Sequence, residues 1–169
     1  TEGTAMIREF NVIKAGVLHL ETSVRIGGKC FDGVSLEFRD PDGKNICRIV
    51  TKNGNWVCEA LDEIILLENA AAMDRTFTFD VELDLQDCMV RIDINEQPGH
   101  SCRLRNSGMQ VAEFRFATDE PSTASVSLGA IRITAGYWVN TDFTHTADGN
   151  LPLGWYGEGG EVSGGELKV

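Results

Sequence analysis

The sequence predicts an all-β chain folded as a two-sheet antiparallel β-sandwich. Three observations predict it. Apolar and polar residues alternate with a period of two from about Ala5 to Ile133, the signature of half-buried strands. Glycine is abundant, at 18, and proline scarce, at 4, so the alternating runs are punctuated by turns. No long amphipathic helix and no phosphate-binding glycine pattern interrupts them. About nine such strands, each wet on one side, bury their apolar faces only by stacking two sheets.

The strands follow in order. Leu18, Leu20, Thr22, Val24 and Ile26 share one face, and His19, Glu21, Ser23 and Arg25 the other. Val34, Leu36 and Phe38 alternate with Ser35, Glu37 and Arg39. Asp40-Pro41-Asp42-Gly43 supplies a turn, with proline presetting φ and glycine tolerating its positive values. Residues 45–51 and 55–60 form a hairpin about Asn53-Gly54, a strong short-range hairpin signal. Residues 61–74 are ambiguous between a helical turn and a buried strand, with Ala70 to Ala72 favouring a loop or helical turn. Phe77, Phe79, Val81, Leu83 and Leu85 then face opposite to Thr78, Asp80, Glu82 and Asp84. Cys88, Val90, Ile92 and Ile94 alternate with Met89, Arg91, Asp93 and Asn95. Residues 96–108 read as a polar connection. Phe114 and Phe116 follow, and Val126, Leu128, Ile131 and Ile133 mark the last long strand, with Gly129 a bulge. After Val139 the composition shifts, and residues 140–169 hold seven glycines. The domain reading is a sandwich over 1–139. The segment 140–169 is either a terminal strand of this sandwich, or of a neighbour's, or the start of a second module.

The net charge of −11 excludes nucleic acid, which requires clustered lysine and arginine, and an anionic membrane surface. There is no run of 18 apolar residues to cross a membrane as a helix. The chain opens at Thr1, and it reads as a mature or excised piece of a longer polypeptide. Cysteines at 30, 47, 58, 88 and 102 are odd in number and lack zinc-site spacing, so they read as buried small apolar side chains.

The run Val90-Arg91-Ile92-Asp93-Ile94-Asn95 resembles a "VYVNG" strand. Leu104-Arg105-Asn106 resembles an "RN" loop, Phe114 to Thr118 an "IRFST" strand, and Ala130 to Ile133 the strand that closes such modules. Ser35 to Ile49 resembles their "D-x-D-G-K" hairpin. Together these resemble the concanavalin A-like, laminin G-like jelly-roll modules appended to secreted bacterial polysaccharide lyases and glycoside hydrolases. The resemblance covers residues 5–139 and carries no catalytic signature. It departs in one respect. The "F…G…P-x-G-W" element that usually opens such modules stands here at the end, as Phe143, Gly149, Pro152, Gly154 and Trp155. The resemblance implies an extracellular location, neighbouring modules in the same polypeptide, and a poly- or oligosaccharide ligand. Strand exchange into a homo-oligomer is geometrically cheap because the terminal strands lie side by side.

The candidate ligand-binding residues are Glu37, Arg39, Asp80, Glu82, Arg91, Asp93 and Arg115, with Trp56 and Trp138. The charged set, with Glu113, alternates onto wet strand faces that together could form one polar concave sheet. Interleaved guanidiniums and carboxylates suit hydrogen bonding to sugar hydroxyls. The alternative is cross-strand ion pairing of little energetic weight. An apolar sugar face needs an aromatic platform, and Trp56, Tyr137, Trp138, Trp155 and Tyr156 are the choices. Trp56 sits two residues after the Asn53-Gly54 turn, a position that suits exposure and ligand contact, the alternative for each of these rings being the core or the rim.

No catalytic residue is assigned. Asp80, Glu82 and Asp84 share a face, but the order is inverted from jelly-roll glycosidases and no aromatic flanks it. His19, His100 and His145 are scattered, and no serine stands in a nucleophile elbow. Asp40 to Asn45 opens like a calcium loop but lacks the remaining ligands, so no cofactor is required, although related sandwiches often carry a structural calcium. The leading expectation is a non-catalytic carbohydrate-binding accessory module of a secreted multidomain polysaccharide-degrading enzyme. The alternatives are a structural spacer that associates by strand exchange, and a small jelly-roll glycosidase or lyase.

Overall fold

A computed structural model describes residues 4–27, 32–70, 74–105, 110–119, 125–135, 138–141, 143–152, 154–158 and 160–168. The described strands are β1 (Ala5–Ile13), β2 (Val17–Gly27), β3 (Val34–Arg39), β4 (Asn45–Lys52), β5 (Asn55–Glu59), β6 (Glu63–Leu67), β7 (Arg75–Asp84) and β8 (Met89–Ile94). There follow β9 (Gln97–Arg103), β10 (Val111–Thr118), β11 (Ser125–Leu128), β12 (Ile131–Thr134), β13 (Trp138–Thr141), β14 (Trp155–Glu158), β15 (Glu161–Ser163) and β16 (Glu166–Lys168). All pairings are antiparallel. The first sheet runs β14-β1-β10-β3-β4-β5-β6, and the second β15-β16-β11-β2-β7-β8-β9, with β12 also pairing β2 and β13 pairing β12.

The core is the sum of the inward parities. Met6, Leu36, Phe38, Ile49, Phe114 and Phe116 come from the first sheet, and Leu18, Leu20, Val24, Phe77, Val81 and Leu83 from the second. Two turns form as their residues dictate. Asn53 and Gly54 both take positive φ (52° and 76°), the twist a two-residue hairpin requires. Asp40 Oδ1 accepts from the Asp42 and Lys44 amides, and the Gly43 amide donates to the Asp40 carbonyl. That Asx turn engages the carboxylate with backbone, which is why Asp40-Pro41-Asp42-Gly43 behaves as a turn.

The structure corrects one element reading and decides another that the sequence left open. Residues 97–103 form the edge strand β9 rather than a connection, paired among the described residues with β8 alone. Pro98 and Gly99 masked it, yet an edge strand tolerates proline because one side of its backbone needs no ladder partner. The hairpin turn is Asn95-Glu96, both at positive φ (53° and 59°), and glutamate is a poor turn signal. Of the ambiguous stretch, 63–67 is strand β6, and residues 71–73 lie outside the described residues. At Gly129 the ladder breaks. Val126 and Leu128 face inward before it, Ile131 and Ile133 after it, so one residue shifts the parity.

The glycine-rich terminus lines the edges of both sheets. β14 pairs with β1 from Ala5↔Glu158 to Arg8↔Trp155. The hairpin β15–β16, turning at Gly164 and Gly165, adds to β11. Trp155 packs edge-on to Phe114 and to Phe143, at 6.4 and 5.9 Å between ring centroids.

Candidate functional site

The register of the first sheet aligns one outward-facing row across all seven strands. It runs Tyr156, Ile7, Arg115, Glu37, Arg48, Glu59 and Glu63, each directly opposite the next. Parallel to it runs Glu9, Glu113, Arg39 and Asn45. Alternation along β3 and β10 places these side chains outward because Leu36, Phe38, Phe114 and Phe116 must point in.

Glu37 is the centre of the row. Only 2% of it is exposed, so an unpaired charge there would be costly. Three guanidiniums and a hydroxyl compensate it. Arg39 Nη2 stands 2.6 Å from Oε2, Arg48 Nε donates to Oε1 at 3.1 Å, Arg115 Nη1 donates to Oε2 at 3.4 Å, and Ser35 Oγ to Oε1 at 2.9 Å. Burial pushes the Glu37 carboxyl up, but the arginines and Ser35 outweigh it and hold it below the usual carboxylate range. Arg48 also donates to Glu59 at 3.3 Å and to Asp119, and Arg39 to Asn45 at 3.0 Å. Neighbouring Glu113 goes the other way, raised chiefly by burial. Two buried atoms of this platform, Arg115 Nε and Glu113 Oε1, have no hydrogen-bond partner among the described residues. Tyr156 closes the row with 43% of its surface exposed, and its hydroxyl donates to Glu9 at 2.7 Å. Burial and then Glu9 push the phenol up to about 12, so it stays protonated as a donor.

The predicted site residues divide between two faces. Glu37, Arg39 and Arg115 belong to this platform. Asp80, Glu82, Arg91 and Asp93 lie together on the outside of the second sheet, where they line a shallow hollow of about 130 Å³. The single polar concave sheet expected from these residues does not form, because β3 and β10 belong to one sheet and β7 and β8 to the other. Their wet faces therefore point in opposite directions. A hollow this small encloses much less than an ordinary small-molecule site of about 300–1,000 Å³.

Trp56 is a correction. It is fully buried, edge-on to Phe77 and Phe79 at 5.5 and 4.9 Å. Parity decides this: Trp56 and Cys58 face inward on β5, so nearness to the turn tip does not bring the ring out. Trp138 lies on β13, opposite Thr134, but its side chain is outside the described residues, as is Tyr137. Arg48, Glu59 and Asp119 were missed. The signal for Arg48 was the turn itself, since closing β3–β4 at 40–44 sets Glu37 opposite Arg48.

On the second sheet, one nitrogen of His19 and one oxygen each of Glu21 and Asp80 lie within 4.8 Å of one another, a spacing that could hold a metal ion. Each already has a partner: His19 Nε2 is bonded to Asp80, and Arg132 Nη1 lies 3.0 Å from Glu21. Asp84 caps the following turn, accepting from the Gln86 and Asp87 amides at 2.9 Å.

The fold has known structural counterparts. A module of a sialidase superposes with a TM-score of 0.61 at 13% identity, covering 99% of this chain and 13% of that one. The fold is the concanavalin A-like jelly roll. Other jelly rolls superpose over most of their length. Congerin II liganded with lactose and MES does so with a TM-score of 0.57 at 12% identity, covering 78% of this chain and 99% of that one. A homodimeric agglutinin from chicken liver gives 0.54 at 10%, covering 77% and 99%. Neither a protein-family model nor a curated protein sequence matches the chain.

Proposed function

We propose that this jelly roll is a non-catalytic carbohydrate-binding module, carried by a secreted multidomain polysaccharide-degrading enzyme, with its site on the outer face of the first sheet. One observation carries the reading: an exposed aromatic ring stands in register with a rigid row of guanidiniums and carboxylates. Sugar recognition needs both parts, an apolar surface for the C–H face of the ring and fixed donors and acceptors for its hydroxyls. Tyr156 supplies the first. Arg115, Arg39 and Arg48, held by Glu37, supply the second. Arg115 is two strands from Tyr156, about 10 Å at the usual strand spacing, which one or two pyranose rings span. The sialidase, of which a counterpart of this chain forms 13%, supports a place within a longer polypeptide. The two lectin-type neighbours support a saccharide ligand.

The experiment is affinity electrophoresis against plant, algal and bacterial polysaccharides, followed by a glycan array. At least one polysaccharide should retard the chain. Tyr156→Ala and Arg115→Ala should abolish retardation, and Glu82→Gln on the opposite face should leave it intact. Free migration through every polysaccharide would remove the proposal. The second reading, a spacer that exchanges strands, draws on β14 being an edge strand held to β1. It predicts a dimer in light scattering that binds no glycan.

A further inference from the structure

Three thiols meet where the two sheets converge. Cys58 Sγ lies 3.5 Å from Cys102 Sγ and 3.8 Å from Cys47 Sγ, and all three residues are buried. Cys47 and Cys58 sit on β4 and β5 of the first sheet, and Cys102 on β9 of the second. The sheets approach here at the backbone itself. The Leu61 amide donates to the Arg103 carbonyl at 2.9 Å, and Arg105 Nε donates to the Ala60 carbonyl at 2.6 Å. Stacked sheets normally stand about 10 Å apart, too far for a disulfide without such convergence.

We propose that Cys58 and Cys102 are a disulfide site that covalently staples one sheet to the other. Their sulfurs are already in contact, and forming a bond of about 2.05 Å requires roughly 1.5 Å of closure. Cys47 is the poorer partner. Cys58 pairs with Ile49, so Cys47 is its diagonal neighbour, and diagonal Cα separations of about 7–8 Å exceed the usual disulfide range. The oxidant is an external disulfide. A thiolate at one cysteine attacks it and displaces one external thiol. The second cysteine then attacks the mixed disulfide and releases the other. Two protein thiols become one disulfide as the external disulfide is reduced to two thiols. In the folded chain this is slow, because thiolate is scarce. Its bond to Cys102 lowers the Cys58 thiol, but Cys47 and burial outweigh that and push it up. The bond to Cys58 and burial push Cys102 up further. The staple therefore closes fastest while the chain folds in an oxidising medium.

The test is independent of sugar binding. Unfolded, reduced full-length chain is refolded in oxidised glutathione, its remaining thiols are alkylated, and it is digested with trypsin. The five cysteines fall on five separate tryptic peptides, so mapping is unambiguous. The expected product joins peptide 53–75 to peptide 92–103 in a monomer, and its melting temperature falls by about 5–15 °C on reduction. Cys47→Ala should keep this link and Cys102→Ala should lose it. A bond from Cys58 to Cys47, links only between chains, or complete alkylation of Cys58 and Cys102 in the wild-type chain would overturn the proposal.

Discussion

Glu37 and Tyr156 show how much single residues depend on their surroundings. Glu37 is a buried carboxylate with three arginines around it, so removing its charge leaves guanidiniums facing one another without a counter-ion. Glu37→Gln should destabilise the chain by about 2–4 kcal/mol at pH 7, measured by urea unfolding. The sign of the pH dependence follows. The folded carboxyl titrates below its unfolded value of about 4.3, so its contribution is complete above that pH. It is lost as pH falls through the lower folded value. Wild-type stability should therefore drop on acidification below about pH 4, and the Glu37→Gln difference should shrink there. An unchanged difference at pH 3 would contradict the ionised assignment. The two aromatics separate by position. Trp56→Ala should cost about 3–5 kcal/mol because a large ring leaves the core between Phe77 and Phe79. Tyr156→Ala should cost far less and act on glycan retention, because nearly half of Tyr156 faces solvent.

At the scale of elements, the terminal strands are expected to be structural. β14 completes the first sheet, and β16 extends the second. With them come Phe143, Trp155, Val162 and Leu167, all buried. Ending the chain at residue 139 should lower the melting temperature by more than about 10 °C or leave the chain aggregated, through an uncovered core and two open edges. A truncated monomer that melts like the full chain would show that these strands contribute nothing here. Gly157 offers a point test. It sits at φ 151°, and a Cβ there would stand 2.1 Å from the Ala5 carbonyl oxygen. Gly157→Ala should loosen the β1–β14 pairing, visible as faster amide exchange at both strands, and should weaken glycan retention by moving Tyr156. This element was only half legible in advance. The sequence offered a terminal strand and the start of another module with equal force, since a glycine-rich run carries little periodicity to choose by.

For the molecule as a whole, charge sets the kind of glycan expected. The net charge is −11, and the platform itself sets three guanidiniums against the carboxylates of Glu37, Glu59, Glu113 and Asp119. Such a surface carries no net attraction for anionic polymers. Binding is expected to favour neutral polysaccharide and to change less than about twofold between 0.05 and 0.5 M salt, because hydroxyl hydrogen bonds are not screened as charge pairs are. A steep fall with salt, read by calorimetry, would point to an acidic glycan instead.

Alternation along one strand is a local property, fixed by the pleat, and the sequence therefore determined the long alternating strands and their inward faces, the Asn53-Gly54 and Asp40–Gly43 turns and the all-β sandwich, but not β6, β9, the terminal strands or the inward side of Trp56. It also singled out Glu37, Arg39 and Arg115 as polar, outward residues. Which strands become neighbours is not local. The sorting of β3 and β10 into one sheet and β7 and β8 into the other separated residues that share an equal alternation. The approach of β9 to the β5–β6 turn brought Cys58 to Cys102 across 44 residues. Register placed Arg48 beside Glu37 and Tyr156 at the end of their row. These pairings are decided by the burial of the whole core at once, and no window of the sequence contains that sum.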